Sequence, residues 1–238
     1  MLESGSWGST IAEYTSTREK YWEIFVEAIP QCAASKKTGS FQCLQRASLD
    51  TSTLVNATVT AIAVSRAETE YVFLPTIDGE GGAYPEPGSR ILASGNWSRI
   101  PFITGANKDE GTAFVTPQSI TANASEIWLS ANFTPLFPYT QARLVQHDIQ
   151  QLLQLYPNDP AVGSPFGSGN NTFGLDPEYK RLAALLGDTA FHALRRQFQQ
   201  IATAQNVKNF GYHFVDPAAS PSPIYGGEHA LTEFVRSH

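Results

Sequence analysis

The stretch Ile100-Pro-Phe-Ile-Thr-Gly-Ala-Asn-Lys-Asp-Glu-Gly-Thr112 combines a strand pattern with a carboxylate. The apolar run at its start, Ile100 to Ile103, predicts a buried strand, and Gly105 and Asn107 predict a turn after it. In an open α/β sheet, the loops that leave the carboxyl ends of the strands line the ligand crevice. We therefore predict that the carboxylate of Glu110 serves a functional site.

A histidine follows the last predicted strand and is the candidate partner of this carboxylate. Lys208 to Val215 alternates between aromatic and other residues, which predicts a strand, and a proline-containing loop then leads to His229. A serine hydrolase needs an acid that fixes the histidine tautomer and stabilises the imidazolium as it forms. This order along the chain would bring Glu110 and His229 to the same sheet edge for this task. Spacing alone, however, favours the alternative of two solvated loop residues.

The other histidines and the neighbouring carboxylate give weaker patterns. His147 and His192 fall in predicted helices and His213 on a strand, so each is interpreted as a packing or surface residue. No two histidines lie four residues apart beside a glutamate, and we predict neither a metal site nor a cofactor. Asp109 precedes Glu110, but adjacent loop residues point apart, which disfavours a two-carboxylate glycosidase.

The sequence contains no Gly-x-Ser-x-Gly nucleophile elbow. Ser168, in Gly167-Ser168-Gly169, lacks both the spacing and a preceding strand. Ser4 and Ser6 also have no strand before them. A nucleophilic serine is therefore not predicted anywhere in these residues.

Composition restricts the possible classes of function. The chain has 238 residues and a net charge of −6, which gives no electrostatic basis for binding nucleic acid. No apolar run approaches the roughly 18 to 20 residues that span a bilayer, and the residues after Met1 do not resemble a signal peptide. We predict neither a transmembrane segment nor a nucleic-acid partner.

Two cysteines and five sequons indicate the compartment. Cys32 and Cys43 bracket a short polar segment, and the spacing fits either a disulfide or two free thiols. Chance predicts roughly two sequons at this composition. The excess favours an oxidising, secretory context with glycosylation at Asn56, Asn96, Asn123, Asn132 and Asn170.

Helices and isolated strands alternate along the chain, which predicts an α/β fold. The predicted helices are Thr17 to Ile29, two within Phe41 to Val64, Ser125 to Phe133, Thr140 to Tyr156, and a long stretch from Asp176 to about Thr203 with Gly187 as a candidate break. Ile91 to Trp97 is predicted to be a short turn or helix. Only about three strands are evident, which is too few for a complete sheet.

Several motifs resemble the type-B carboxylesterase/lipase family. The opening stretch resembles its acid-bearing motif, and Pro223-Ile-Tyr-Gly226-Gly-Glu-His229 is similar to the approach to its catalytic histidine. Leu2-Glu-Ser-Gly-Ser6 is similar to the strand end that follows its nucleophile elbow. Three further segments resemble the fungal secreted lipases of that family: Gly163-Ser-Pro-Phe166, Asp176-Pro-Glu-Tyr-Lys-Arg181 and Leu186-Gly-Asp188.

The resemblance implies carboxylic-ester hydrolysis by Ser, Glu and His in that order, with Glu110 and His229 as the second and third members. It also implies a disulfide between Cys32 and Cys43. The fold would be a partial α/β-hydrolase fold, a single domain over residues 1–238 truncated at both ends. Its N-terminal strands, the nucleophile and the C-terminal end would lie outside this sequence. One departure is that Ala230 follows the histidine and an acidic residue, Glu233, comes slightly late.

Three functions follow as hypotheses. The first is a secreted ester hydrolase whose residues 1–238 are inactive alone, because they lack the serine. The second is a non-catalytic hydrolase-fold module that binds protein, against which the retention of Glu110 and His229 weighs. The third is a truncated chain without a function of its own, whose open sheet edge predicts aggregation.

Overall fold

The computed structural model describes residues 1–8, 12–67, 72–116, 120–133, 142–216 and 222–227. The chain divides into two compact units. The first unit comprises Met1–Ser9 and Ser98–His238, and the second unit comprises Thr10–Trp97. That residues 1–238 form one domain stays a prediction.

The described residues contain five strands and eight α-helices. The strands are β1 (Leu2–Glu3), β2 (Glu13–Tyr14), β3 (Thr76–Ile77), β4 (Phe102–Asn107) and β5 (Asn209–Phe214). The helices are α1 (Thr15–Glu27), α2 (Ser40–Arg46), α3 (Thr51–Ala67), α4 (Gly88–Ser94), α5 (Ala124–Phe133), α6 (Ala142–Leu155), α7 (Glu178–Gly187) and α8 (Ala193–Ala204). Helices alternate with parallel strands, which confirms the predicted α/β class.

The sheet of the first unit has three parallel strands in the order β1-β4-β5. Its central strand differs from the prediction, because it runs through Gly105 to Asn107 instead of turning there. Its buried part is the small and polar half, whereas Ile100 is 68% exposed and Ile103 is 43% exposed. A side chain at Gly105 would collide with the ring of Tyr212, so this glycine allows close packing between strands.

Helix α7 is the centre of the first unit. Tyr179, Leu182, Ala183 and Leu186 are buried in its main apolar cluster, and Leu185 belongs to a second cluster shared with α5 and α6. Contrary to the prediction, the helical stretch does not break at Gly187. It continues through one π-helical segment, Asp188–His192, into α8. Gly187 instead allows close contact with the backbone of Gly111, whose nitrogen would lie 3.1 Å from a Cβ at position 187.

The second unit packs α1 against α3 beside a two-stranded parallel sheet of β2 and β3. The carboxylate of Asp50 caps α3 by accepting hydrogen bonds from Thr53 N (2.6 Å) and Ser52 Oγ (3.0 Å). These bonds, the one from the Thr53 backbone above all, lower the pKa of Asp50. Cys32 and Cys43 form a disulfide with their Cα atoms 5.7 Å apart, which confirms the pairing. A loop of this size contributes about 2 to 3 kcal/mol of stability.

Candidate active site

The carboxylate of Glu110 is fully buried at the carboxyl end of β4. A 3₁₀ helix, Glu110–Phe114, begins immediately after the strand, and Glu110 Oε1 accepts a hydrogen bond of 2.6 Å from Asn107 N. Because Asn107 is the last residue of β4, this bond directs the side chain of Glu110 back toward that strand. A buried carboxylate at this edge of a parallel sheet is in the position where α/β proteins bind ligands.

Asp109 is also buried, with 2% of its surface exposed, but its partners differ from those of Glu110. Its Oδ1 accepts from Ser164 Oγ and Phe166 N, each at 2.7 Å, and its Oδ2 accepts from Gly227 N at 2.9 Å. The two adjacent carboxylates therefore have different hydrogen-bond partners. Asp109 joins two loops, and its oxygens are occupied by their donors.

The segment 222–227 is held against the end of β4 and against α7. Thr112 Oγ1 donates to Tyr225 O at 2.7 Å, and Tyr179 OH donates to Ile224 O at 3.0 Å. Asp109 N also donates to Gly227 O at 2.9 Å. This segment precedes His229, which lies outside the described residues. The structure thus describes Glu110 and the approach to His229.

A different histidine lies near Glu110. His192, in the π-helical segment, is partly buried, and its ring centroid is 5.4 Å from that of His213 on β5. Burial lowers the pKa of His192, and the nearby His213 and Arg195 lower it further. The carboxylates of Asp188 and Glu110 oppose this lowering. This proximity could not be predicted from the sequence, because His192 and Glu110 are 82 positions apart.

We expect His192 to make the first unit less stable in mild acid. Its pKa lies below the usual 6.5 in the folded state, so the unfolded chain takes up the proton first as the pH falls through 6.5. Stability is therefore lost as the pH falls from about 6.5 toward the lowered value, with a slope of at most about 1.4 kcal/mol per pH unit. In urea titrations between pH 7 and 5, His192→Gln will flatten this loss.

His147 provides the matched control for this experiment. It lies exposed on α6 next to Gln151, so His147→Gln replaces a histidine that is in contact with water, whereas His192→Gln replaces a partly buried one. We expect this variant to keep the slope of the original chain. A His192→Gln variant with the same slope as the original chain would contradict the assignment.

Ser168 has a lysine beside it. Lys180 Nζ lies 2.7 Å from Ser168 Oγ, and serine with lysine forms a nucleophile and base in some hydrolases. Burial lowers the pKa of Lys180. However, the same nitrogen also donates to Gly169 O (2.7 Å) and Asn171 O (3.4 Å), while Ser168 Oγ donates to Pro165 O (2.6 Å). An amine that donates to three acceptors is a protonated ammonium group. Lys180 therefore stabilises this loop by hydrogen bonds and does not act as a base for Ser168.

The remaining predicted features lie at the surface. The sequon side chains of Asn56, Asn96, Asn123 and Asn170 are exposed, while the side chain of Asn132 lies outside the described ones. Glycosylation at these positions stays a prediction. Within the described ranges, no cluster of three or more His, Cys, Asp or Glu suits a metal ion. No helix in the same ranges has both the length and the hydropathy to cross a membrane.

Comparison with known proteins identifies relatives over most of the chain. A model described as "Carboxylesterase family" matches residues 1–235. The chain is 34% identical over 194 residues to secreted lipase 1 of Botryotinia fuckeliana, which covers 79% of this chain and 32% of that protein. It is 27% identical over 221 residues to lipase 4 of Diutina rugosa, with coverage of 91% and 38%. It is 30% identical over 159 residues to a secreted triacylglycerol lipase of Gibberella zeae, with coverage of 66% and 25%.

These matches confirm the resemblance of the sequence motifs and the fold that they imply. The family match implies the α/β-hydrolase fold, and the helices with their few parallel strands agree with part of that fold. The chain spans about a third of the length of the curated relatives it matches.

Proposed function

Because the chain belongs to the carboxylesterase family, we propose that Glu110 and His229 are the acid and the histidine of a Ser-Glu-His triad for carboxylic-ester hydrolysis. The observation that carries this proposal is the burial of Glu110 at the carboxyl end of β4, next to the segment that leads to His229. Gly227 is bonded to Asp109, the neighbour of Glu110. His229 follows Gly227 by only two residues, a span of at most about 7 Å of chain, and this short connection supports the proposed pairing.

The chemistry follows from the properties of the two groups. A carboxylate that accepts from one ring nitrogen fixes the histidine tautomer, so the other nitrogen is free to take the proton of a serine hydroxyl. The imidazolium that forms is stabilised by the carboxylate and then protonates the leaving alcohol. The substrates would be carboxylic esters, and the names of the relatives favour lipid esters, including triacylglycerols.

The pairing is tested by titrating the histidines with NMR. Glu110→Gln keeps an oxygen for Asn107 N but removes the charge, so we expect the pKa of His229 to fall by about one pH unit. The loss of the corresponding signal in His229→Asn assigns the resonance. Glu126→Gln is the matched control, because Glu126 is bonded to Gln146 and Gln150 at the surface. An unchanged pKa of His229 in Glu110→Gln would refute the pairing.

We also propose that residues 1–238 do not hydrolyse esters alone. No nucleophile elbow is present in the sequence, so the histidine would have no serine to activate. The expressed chain should release no nitrophenol from a short-chain nitrophenyl ester above the uncatalysed rate. A fluorophosphonate probe should label no serine, Ser168 included. Turnover that disappears in His229→Ala, or specific labelling of one serine, would contradict this expectation.

We propose a secreted, glycosylated protein as the natural form. Two of the relatives named above are secreted lipases. The disulfide in the second unit and the exposed sequon asparagines favour the same oxidising route. Expression through a secretory pathway should add mass that an Asn-specific glycosidase removes, and an unmodified secreted chain would contradict the glycosylation.

A further inference from the structure

The carboxylate of Asp109 connects three parts of the first unit. It follows β4, it accepts from Ser164 and Phe166 on one loop, and it accepts from Gly227 on the segment before His229. Ser164 is 1% exposed and Asp109 is 2% exposed, so these bonds are shielded from water. Hydrogen bonds to a charged, buried acceptor are about twice as strong as those between neutral groups.

All three groups that contact the Asp109 side chain donate to it, and each of its two oxygens faces at least one backbone N–H, so only a carboxylate satisfies them. An amide of the same shape has one oxygen and one NH₂ group, and the NH₂ would face a donor. Oδ1 accepts two hydrogen bonds and Oδ2 accepts one. The amide oxygen of Asp109→Asn would therefore keep the two bonds from Ser164 Oγ and Phe166 N. The NH₂ group would then face Gly227 N, and this bond would be lost.

The backbone beside Gly227 is adapted to this contact. Gly226 has φ +55°, in the left-handed region that favours glycine. A Cβ at position 226 would lie 2.5 Å from Asp109 Oδ2 and 2.8 Å from Pro165 Cβ. The segment can therefore approach the carboxylate only because residue 226 has no side chain.

We propose that Asp109 is a positioning residue, which fixes the backbone at Gly226 and Gly227 so that His229 reaches Glu110. This proposal rests on the pairing of Glu110 with His229. Asp109 takes no part in proton transfer. Its role is to join the strand end that carries the acid to the segment that carries the histidine.

The test measures the pKa of His229 and the hydrogen exchange of the Gly227 amide by NMR. In Asp109→Asn, we expect the pKa of His229 to fall by at least half of the change caused by Glu110→Gln. Exchange at Gly227 should accelerate by about tenfold or more, as loss of a hydrogen bond to a charged group predicts. The removed charge alone could also lower the pKa, so a second variant is required.

Gly226→Ala is that variant, since it keeps the charge of Asp109 but removes the space for the contact. It should lower the pKa of His229 as Asp109→Asn does. Ser164→Ala is the structural control, because it removes a bond to Asp109 on the other loop. It should destabilise the unit while leaving the pKa of His229 unchanged.

The outcomes separate the two proposals. If Glu110→Gln leaves the pKa of His229 unchanged, the pairing fails, and positioning toward Glu110 fails with it. If Glu110→Gln lowers the pKa but Gly226→Ala does not, the pairing stands and the positioning role of Asp109 is refuted. An equal fall in Ser164→Ala would also refute it, because general loosening would then explain the effect. The original chain is the reference throughout.

Discussion

An alanine at position 111 will lower the unfolding free energy of the first unit by about 3 kcal/mol, the upper end of what overpacking a tight site costs. Gly111 lies in the 3₁₀ helix after β4, directly against α7. The Cβ of an alanine there would overlap Ala183 O and would lie 2.7 Å from Gly187 N and 2.9 Å from Ala183 C. These are backbone atoms in the middle of a helix, so they cannot rotate out of the way as a flexible side chain would.

The effect of this substitution should extend to the site. Relief of the overlap requires the 3₁₀ helix to move away from α7, and Glu110 and Thr112 flank the substituted residue. We therefore expect the Thr112 bond to Tyr225 O to weaken as well. The midpoint of thermal unfolding, followed by circular dichroism, should fall by about 6 to 12 °C for a unit of this size.

Gly5→Ala is the matched control for this substitution. Gly5 is in the same unit, and an alanine Cβ there would meet only Glu3 O, at the ordinary contact distance of 3.6 Å. Its midpoint should shift by less than a third of the Gly111→Ala change. Equal shifts in the two variants would show that the fit between Gly111 and α7 is not what makes this position intolerant.

The central strand shows how far sequence alone reaches. Its presence just before the two carboxylates was predicted correctly, because a short apolar run before turn residues is a local pattern. Its bounds and its buried half were predicted wrongly. Thr104 to Asn107 are buried because β1 and β5 flank them, and Gly105 packs against Tyr212. A neighbour more than 100 residues away cannot be read from a local apolar run.

The hydrogen bonds that Asp109 accepts could not be predicted from the sequence for the same reason. The donors that occupy Asp109 come from Ser164 and Gly227, which are 55 and 118 residues away. The family resemblance supplied the proposed role of Glu110 and the Cys32–Cys43 pairing, whereas spacing had left both open. It gave no task to Asp109, which emerges only from the three donors around it.

Substitution of Arg181 by methionine should destabilise the first unit by about 3 kcal/mol, because it leaves the carboxylate of Glu178 buried without a cation. Both residues are on α7, and Glu178 is fully buried while the side chain of Arg181 is 17% exposed. Arg181 also donates to Tyr156 O (2.5 Å) and Leu153 O (2.9 Å) at the carboxyl end of α6. Methionine keeps the aliphatic volume but removes all of these donors.

This pair stabilises the ends of two neighbouring helices. Glu178 Oε1 accepts from Ser125 N at 3.0 Å, in the first turn of α5, where a negative charge is favoured by the helix dipole. Arg181 places a positive charge at the carboxyl end of α6, where the helix dipole favours a cation. Loss of Arg181 should therefore accelerate hydrogen exchange in the last turn of α6 as well as lower the urea midpoint.

A double substitution separates the buried charge from the lost hydrogen bonds. Glu178→Gln keeps an oxygen for Ser125 N and removes the charge that Arg181 compensates. If the uncompensated carboxylate is the main cause, Arg181→Met with Glu178→Gln will be less destabilised than the sum of the single changes, by about 1 kcal/mol or more. Additive losses would assign the effect to the carbonyls of α6 alone. Lys36→Met, which breaks an exposed 2.6 Å pair with Glu27, should change stability by less than about 1 kcal/mol, because water replaces the lost partner.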